Sequence, residues 1–154
     1  MSVWDDVVGQ EKVVADLVAA ARSARLMAEQ REGRERGPVE ARRAAGADTA
    51  AMTHAWLVTG PPGSGRSTAA RAFAACLQCT GDVPGCGECK PCRDVMSGGH
   101  PDVVRLTTEK LIITMDEVKE LIGEAQRRPW TGRWRVILVE DADRMAERTT
   151  NVLL

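Results

Sequence analysis

The chain has no tyrosine, a single phenylalanine and an aromatic fraction of only 3% over 154 residues. Apart from four tryptophans, then, no platform for stacking nucleic-acid bases is visible. Net charge is missing as well. Lys and Arg number 21 against 22 Asp and Glu, so there is no global electrostatic footprint for nucleic acid, and any DNA contact has to be local or supplied by partners. No apolar run approaches the roughly 20 residues of a membrane span. The opening Met1-Ser2-Val3-Trp4-Asp5-Asp6 lacks the basic and apolar stretches of a secretory signal. A cytoplasmic location with no membrane partner is the expectation that follows. What remains, 44% hydrophobic and 28% charged residues, is the composition of one globular domain.

One further absence is more pointed. Thr59-Gly60-Pro61-Pro62-Gly63-Ser64-Gly65-Arg66-Ser67-Thr68 matches the phosphate-binding P-loop at every place except one, where the motif's lysine is replaced by Arg66. Glycine-proline loops are common by themselves. Here the complete spacing agrees with an apolar run before it, Trp56-Leu57-Val58, and an alanine-rich helix former after it, Ala69 to Leu77. Strand, glycine loop and helix wrap a triphosphate, because backbone N–H groups turn inward and the helix N-terminus adds partial positive charge. A lysine places a compact ammonium between the β- and γ-phosphates; arginine is longer, planar and geometrically particular. The expectation is an α/β P-loop fold whose loop accepts ATP weakly at Gly60, Gly63, Gly65, Arg66, Ser67 and Thr68, with negligible turnover.

Upstream, Val7-Val8-Gly9 can wall an adenine pocket or simply pack, with Val8 the candidate contact. Val13, Val14, Leu17, Val18 and Ala21 then mark one side of a helix. From Ala28 to Ala51 the chain mixes arginine, glutamate and alanine, with Gly33, Gly37, Pro38 and Gly46 as interruptions. Mixed charge without an apolar face predicts an exposed, flexible insertion over 28–51.

Five cysteines follow the loop helix: Cys76, Cys79, Cys86, Cys89 and Cys92. The last four form C-x6-C-x2-C-x2-C around Gly81-Asp82-Val83-Pro84-Gly85. C-x2-C steps let neighbouring thiolates face one metal, and a flexible loop lets the remaining sulfur close a tetrahedron. This predicts a structural zinc held by Cys79, Cys86, Cys89 and Cys92 in a module spanning 79–92, with no open coordination position and no catalytic role. Cys76 reads as a small buried residue. A basic or aromatic surround would instead suggest a zinc-dependent nucleic-acid binder, but only Lys90 and Arg93 are close.

Further on, His100 in Ser97-Gly98-Gly99-His100-Pro101-Asp102 has no histidine partner nearby and is expected to fix a turn before a strand at Val103–Leu106. Thr114-Met115-Asp116-Glu117 is a capping box, opening a helix with Val118, Leu121, Ile122 and Ala125 at helical spacing. Val136-Ile137-Leu138-Val139 reads as a parallel strand buried on both faces, ending in Glu140 and Asp141. Acids at that end match a Walker B site, yet the usual aspartate–glutamate order is inverted. An extra methylene at the metal position and one fewer at the base position misplace both oxygens.

Taken together, Val7-Val8-Gly9-Gln10, the P-loop, the four-cysteine insertion, Gly99-His100-Pro101-Asp102 and the modified Walker B strand resemble the clamp-loader subunits of bacterial DNA polymerase III, which belong to the AAA+ proteins. Thr149-Thr150-Asn151-Val152-Leu153-Leu154 is similar to the helix that follows Walker B there. The resemblance covers nearly all of the chain except 28–51. It implies a hetero-oligomer that opens the sliding clamp and loads it on primed DNA. Arg66 with Glu140 and Asp141 favours the stator, or delta-prime, type with a degenerate ATP site; the alternative is an active motor subunit of the gamma/tau type. In the family the stator presents an arginine finger to a neighbour's ATP site. That finger, a strand lying between the first and third, and the lid and collar come after the Walker B helix. Residues 1–154 are accordingly expected to be the N-terminal part of an AAA+ domain with an incomplete sheet.

Overall fold

The computed structural model describes residues 1–36, 51–108, 110–146 and 149. It divides into two compact units at Met96 and Ser97. Both are built from helices and, in the second, a small parallel sheet, which agrees with the α/β expectation.

Alanine decides how the first unit packs. Helix α1 (Glu11–Arg36) buries Leu17, Ala20, Ala21, Ala24 and Ala28, a stripe at helical spacing. Helix α2 (Arg66–Gln78) answers with Ala69, Ala72, Phe73, Ala74, Ala75 and Cys76, and the two helices pack together. Small side chains let two backbones approach closely, but each contributes less than the roughly 1.5–3 kcal/mol of a buried Leu or Phe. A unit built this way gains little per residue from apolar burial. The small partner face also explains why the packed stripe differs from the valine pattern: Leu17 and Ala21 are buried as expected, whereas Val13 is 39% exposed.

Two expectations change in this unit. Helix α1 runs on through Ala28 and Gly33 to Arg36, into the stretch read as a flexible insertion. Met27-Ala28-Glu29-Gln30-Arg31-Glu32 are good helix formers, and a single glycine costs only about 1 kcal/mol. The rest of that stretch, 37–50, lies outside the described residues. Second, Trp56–Thr59 is not a strand. A strand needs a ladder partner, and none is available to it among the described residues. The segment is instead held by Trp56, whose ring meets Phe73 edge to face at 5.2 Å, while Leu57 is 83% exposed. Helix α3 (Lys90–Ser97) closes the unit and buries Cys92 and Val95.

In the second unit β1 (Val103–Leu106) and β2 (Val136–Val139) pair in parallel, Val103 opposite Val136 and Leu106 opposite Val139. Parallel neighbours need a crossover, and helix α4 (Met115–Ala125) supplies it, burying Val118 and Leu121. The capping box forms as expected: Thr114 N–H donates to Glu117 Oε2 at 2.8 Å, and Glu117 N–H to Thr114 Oγ1 at 3.4 Å. With two strands, β2 is half-buried along its length and not covered on both faces. No helix among the described residues is long and apolar enough to cross a membrane.

The hub of this unit is Asp102, 0% exposed. Its carboxylate accepts N–H bonds from Trp130, Thr131 and Gly132 at 2.5, 2.8 and 2.7 Å, and Arg135 Nη1 lies 3.5 Å away. Burial by itself would raise its pKa; those backbone donors outweigh burial and hold it down to about 2. His100 fixes the turn before it, Nδ1 accepting the Asp102 N–H at 3.1 Å.

Candidate metal centre and nucleotide loop

The four cysteines of the spaced motif come together. Their sulfurs all lie within 4.8 Å of one another, with Cys79 to Cys86 at 3.7 Å and Cys89 to Cys79 at 3.9 Å. A tetrahedral zinc with Zn–S bonds of about 2.3 Å requires sulfur–sulfur edges of about 3.8 Å. The donor set therefore fits that metal in both kind and spacing. Four sulfurs complete the tetrahedron, so the centre would hold chain segments together and activate nothing.

Local structure explains the convergence. Cys79 caps the C-terminus of α2, where its N–H bonds to the Cys76 carbonyl at 3.3 Å. Cys86 Sγ accepts the Cys89 N–H at 3.4 Å, the turn that C-x2-C spacing makes easy. Cys92 enters from α3, its thiol facing the Ala75 carbonyl of α2 at 3.7 Å. Burial raises the Cys92 thiol above its ordinary value. Burial acts the same way on Cys89, but hydrogen bonds from the Cys92 and Thr80 backbone outweigh it and bring Cys89 down to about 6.

Cys76 stays outside the cluster. It is buried, and burial together with the nearby Cys79 pushes its thiol up to about 12, which suits a packing role. The knuckle is pinned from two further sides that the sequence did not signal. Val3 N–H and Ser2 Oγ donate to the Gly85 carbonyl at 3.1 and 3.2 Å. From α1, Arg25 reaches the Cys79 and Asp82 carbonyls. Arginine is frequent in this chain, and nothing in the spacing separates Arg25 from its neighbours.

The candidate nucleotide loop ends in a glycine that the local backbone requires. Gly65 caps α2 in the left-handed region at φ 81°, a conformation that only glycine adopts without strain, and its carbonyl accepts the Ala69 N–H at 2.8 Å. Gly60 and Gly63 belong to the segment before α2, and Ser67 and Thr68 to the first turn of that helix. Arg66 is the first residue of that helix and folds back over the loop. Its Cδ lies 3.7 Å from where a Cβ on Gly60 would stand. Val8 is 85% exposed on the turn before α1, while Val7 lines a groove of about 470 Å³ with Trp4, Val14 and Val18.

The two acids of the candidate Walker B site follow β2 in the second unit, and each holds an arginine. Arg105 Nε of β1 donates to Glu140 Oε1 at 2.8 Å. Asp141 sits in the left-handed region at φ 50°, with Arg144 3.3 Å from its Oδ2. Leu138 is the register partner of Arg105, and Glu140 stands two residues further on, just past the end of β2, a pairing that only becomes visible once β1 and β2 are aligned.

Comparison with known proteins adds ancestry to this geometry. A family model described as DNA polymerase III, delta subunit, matches residues 39–154. The chain is 36% identical to DNA polymerase III subunit delta' of Pseudomonas aeruginosa over 105 residues, 66% of this chain and 32% of that protein. It is 28% identical to subunit delta' of Bacillus subtilis over 104 residues, 67% of this chain and 32% of that protein. To subunit tau/gamma of Haemophilus influenzae it is 26% identical over 151 residues, 97% of this chain and 18% of that protein. The chain thus spans about a third or less of the length of these curated relatives.

Proposed function

We propose a function that proceeds from one premise: this chain belongs to the DNA polymerase III delta-subunit family. On that footing it is a clamp-loader subunit of the stator type, working with other clamp-loader subunits to place the sliding clamp on primed DNA. Residues 1–154 are then the N-terminal part of an AAA+ domain. The loop at Gly60–Thr68 takes ATP weakly, and any help with hydrolysis is given to a neighbouring subunit. A stator's arginine finger, donated in trans, is worth on the order of 10³-fold in rate.

The observation that carries the stator reading is Arg66 in the lysine position, taken together with a Glu140 carboxylate already occupied by Arg105. A carboxylate engaged with a guanidinium is poorly placed to organise Mg²⁺. The 97% coverage by a tau/gamma relative favours the other reading, a motor subunit. ATP turnover separates the two. Expressed at its natural length and mixed with motor subunits, clamp and primed DNA, the protein should restore clamp loading while hydrolysing almost no ATP by itself. Turnover at motor rates by the isolated protein would refute the stator reading.

Zinc belongs to the same proposal. Cys79, Cys86, Cys89 and Cys92 would hold it as thiolates, and it would stiffen a knuckle too poor in apolar surface to fold alone. Structural zinc of this kind contributes on the order of 10 kcal/mol at neutral pH. Elemental analysis should find one zinc per chain, lost in the double variant Cys86→Ser/Cys89→Ser and kept in Cys76→Ser.

A further inference from the structure

Three of the four clustered sulfurs come from one short run, Cys86, Cys89 and Cys92, whose turns bring them together locally. Cys79 is different. It arrives from the end of α2, six residues removed from the run, and its place has to be set by something else. The group that grips it is on α1. Arg25 Nη2 donates to the Cys79 carbonyl at 3.1 Å, and Nη1 donates to the Asp82 carbonyl, also at 3.1 Å. One guanidinium thus spans the arc from the first cysteine to the loop that leads to the others.

We propose that Arg25 is the positioning residue of the metal centre, presenting the Cys79 sulfur to the other three and coupling metal occupancy to helix α1. The inference rests on the metal reading above and extends it to a residue outside the motif.

Three features fit. First, the arc and the sulfurs are a single geometric problem: a Cβ on Gly81, inside the arc, would lie 2.9 Å from Cys86 Sγ and 3.7 Å from Cys79 Sγ. Any shift of the arc moves backbone against the cluster. Second, the Cys79 carbonyl stands at the C-cap of α2, beyond the intrahelical ladder and at the negative end of the helix dipole. A cation that donates hydrogen bonds is the partner such a carbonyl favours. Third, arginine brings two donors in a rigid planar fork and keeps its charge at every accessible pH. That positive charge is also apt beside four thiolates, which leave a divalent ion with net negative charge.

Coupling is reciprocal by thermodynamic linkage. If the Arg25 clamp strengthens metal binding, metal binding must strengthen the clamp by the same factor and so damp the opening of α1 around it. A merely structural arginine would not show this second effect.

The test uses the whole chain and zinc, with affinity measured by competition against a chromophoric chelator. Arg25→Gln should bind zinc about 10–100-fold more weakly, the usual consequence of losing a group that orients a ligand residue. Arg25→Lys, which keeps the charge and reaches one carbonyl, should fall between that variant and wild type. Lys12→Gln, an exposed cation on the same helix, should match wild type. Zinc should slow amide hydrogen exchange at 23–27 in the wild type and leave it unchanged in Arg25→Gln. Wild-type protein that binds no zinc overturns both the metal reading and this one. Tight zinc binding that is equal in wild type and Arg25→Gln, with the same exchange response, overturns the positioning role and leaves the metal reading standing. Should Arg25→Gln fail to fold, Arg25→Lys decides: affinity equal to wild type sinks the proposal.

Discussion

On the stator reading proposed above, Arg66 and Glu140 are the residues that separate this loop from a working ATP site. The loop ends in a left-handed glycine at the start of α2, and the cation that follows it is a planar fork where a P-loop has a mobile ammonium. Arg66→Lys should raise ATP affinity severalfold, read by titration calorimetry, with turnover staying at background because the Glu140–Asp141 order persists. The second unit has its own decisive residue. The Asp102 carboxylate is held at about 2 by backbone donors, well below an unfolded aspartate near 3.9. A depressed folded pKa gives stability that is present above the unfolded value and lost as pH falls from about 4 towards 2. The amount at stake is about 2–3 kcal/mol. Urea unfolding at pH 6 and pH 2.5 should reveal it in the wild type. Asp102→Asn should remove that pH dependence and cost about 3 kcal/mol at pH 6, since an amide turns donors towards donors.

Among the elements, α1 and α2 have an alanine interface that brings backbones close and yields little hydrophobic energy per contact. The cysteine knuckle and the N-terminal segment compensate by tying both helices from outside. Gly87 is the tightest point of that arrangement. It has φ 76°, and a Cβ there would stand 1.9 Å from the Met1 carbonyl oxygen. Gly87→Ala should cost about 1–2 kcal/mol for the left-handed backbone alone, and more as Met1–Val3 are displaced. A lowered thermal midpoint together with faster hydrogen exchange in Val3 would register it. Helix α4 depends on a local device instead. Thr114→Ala breaks the capping box and should lower stability by about 1 kcal/mol in urea titration, with the fold retained.

For the whole molecule, the four-cysteine cluster lies within the unit before Ser97, and the sheet lies within the unit after it. Chelation should therefore act unevenly. Hydrogen-exchange mass spectrometry after chelator treatment should show protection lost over 76–97 and along α1, with 103–139 little changed. Uniform loss across both units would count against a knuckle that stabilises only its own unit.

Local chemistry was legible in the order of residues. Glycine spacing announced the turn that opens α2, C-x6-C-x2-C-x2-C announced the cysteine cluster, and Thr114 with Glu117 announced the start of α4, because each depends on neighbours a few positions apart. The strands at 103–106 and 136–139 were legible for a similar reason, their short apolar runs. Folding alone decided the rest. The segment 56–59 looks like a strand, but a strand is a property of a pair and no partner meets it among the described residues. Val13 fits a helical stripe, yet the small alanine face of α2 selected Ala20, Ala24 and Ala28. The Arg25 grip on Cys79 joins positions 54 residues apart, and the Arg105 hold on Glu140 joins positions 35 apart. No spacing rule reaches that far; those contacts exist only because helix packing and strand register bring the two ends together.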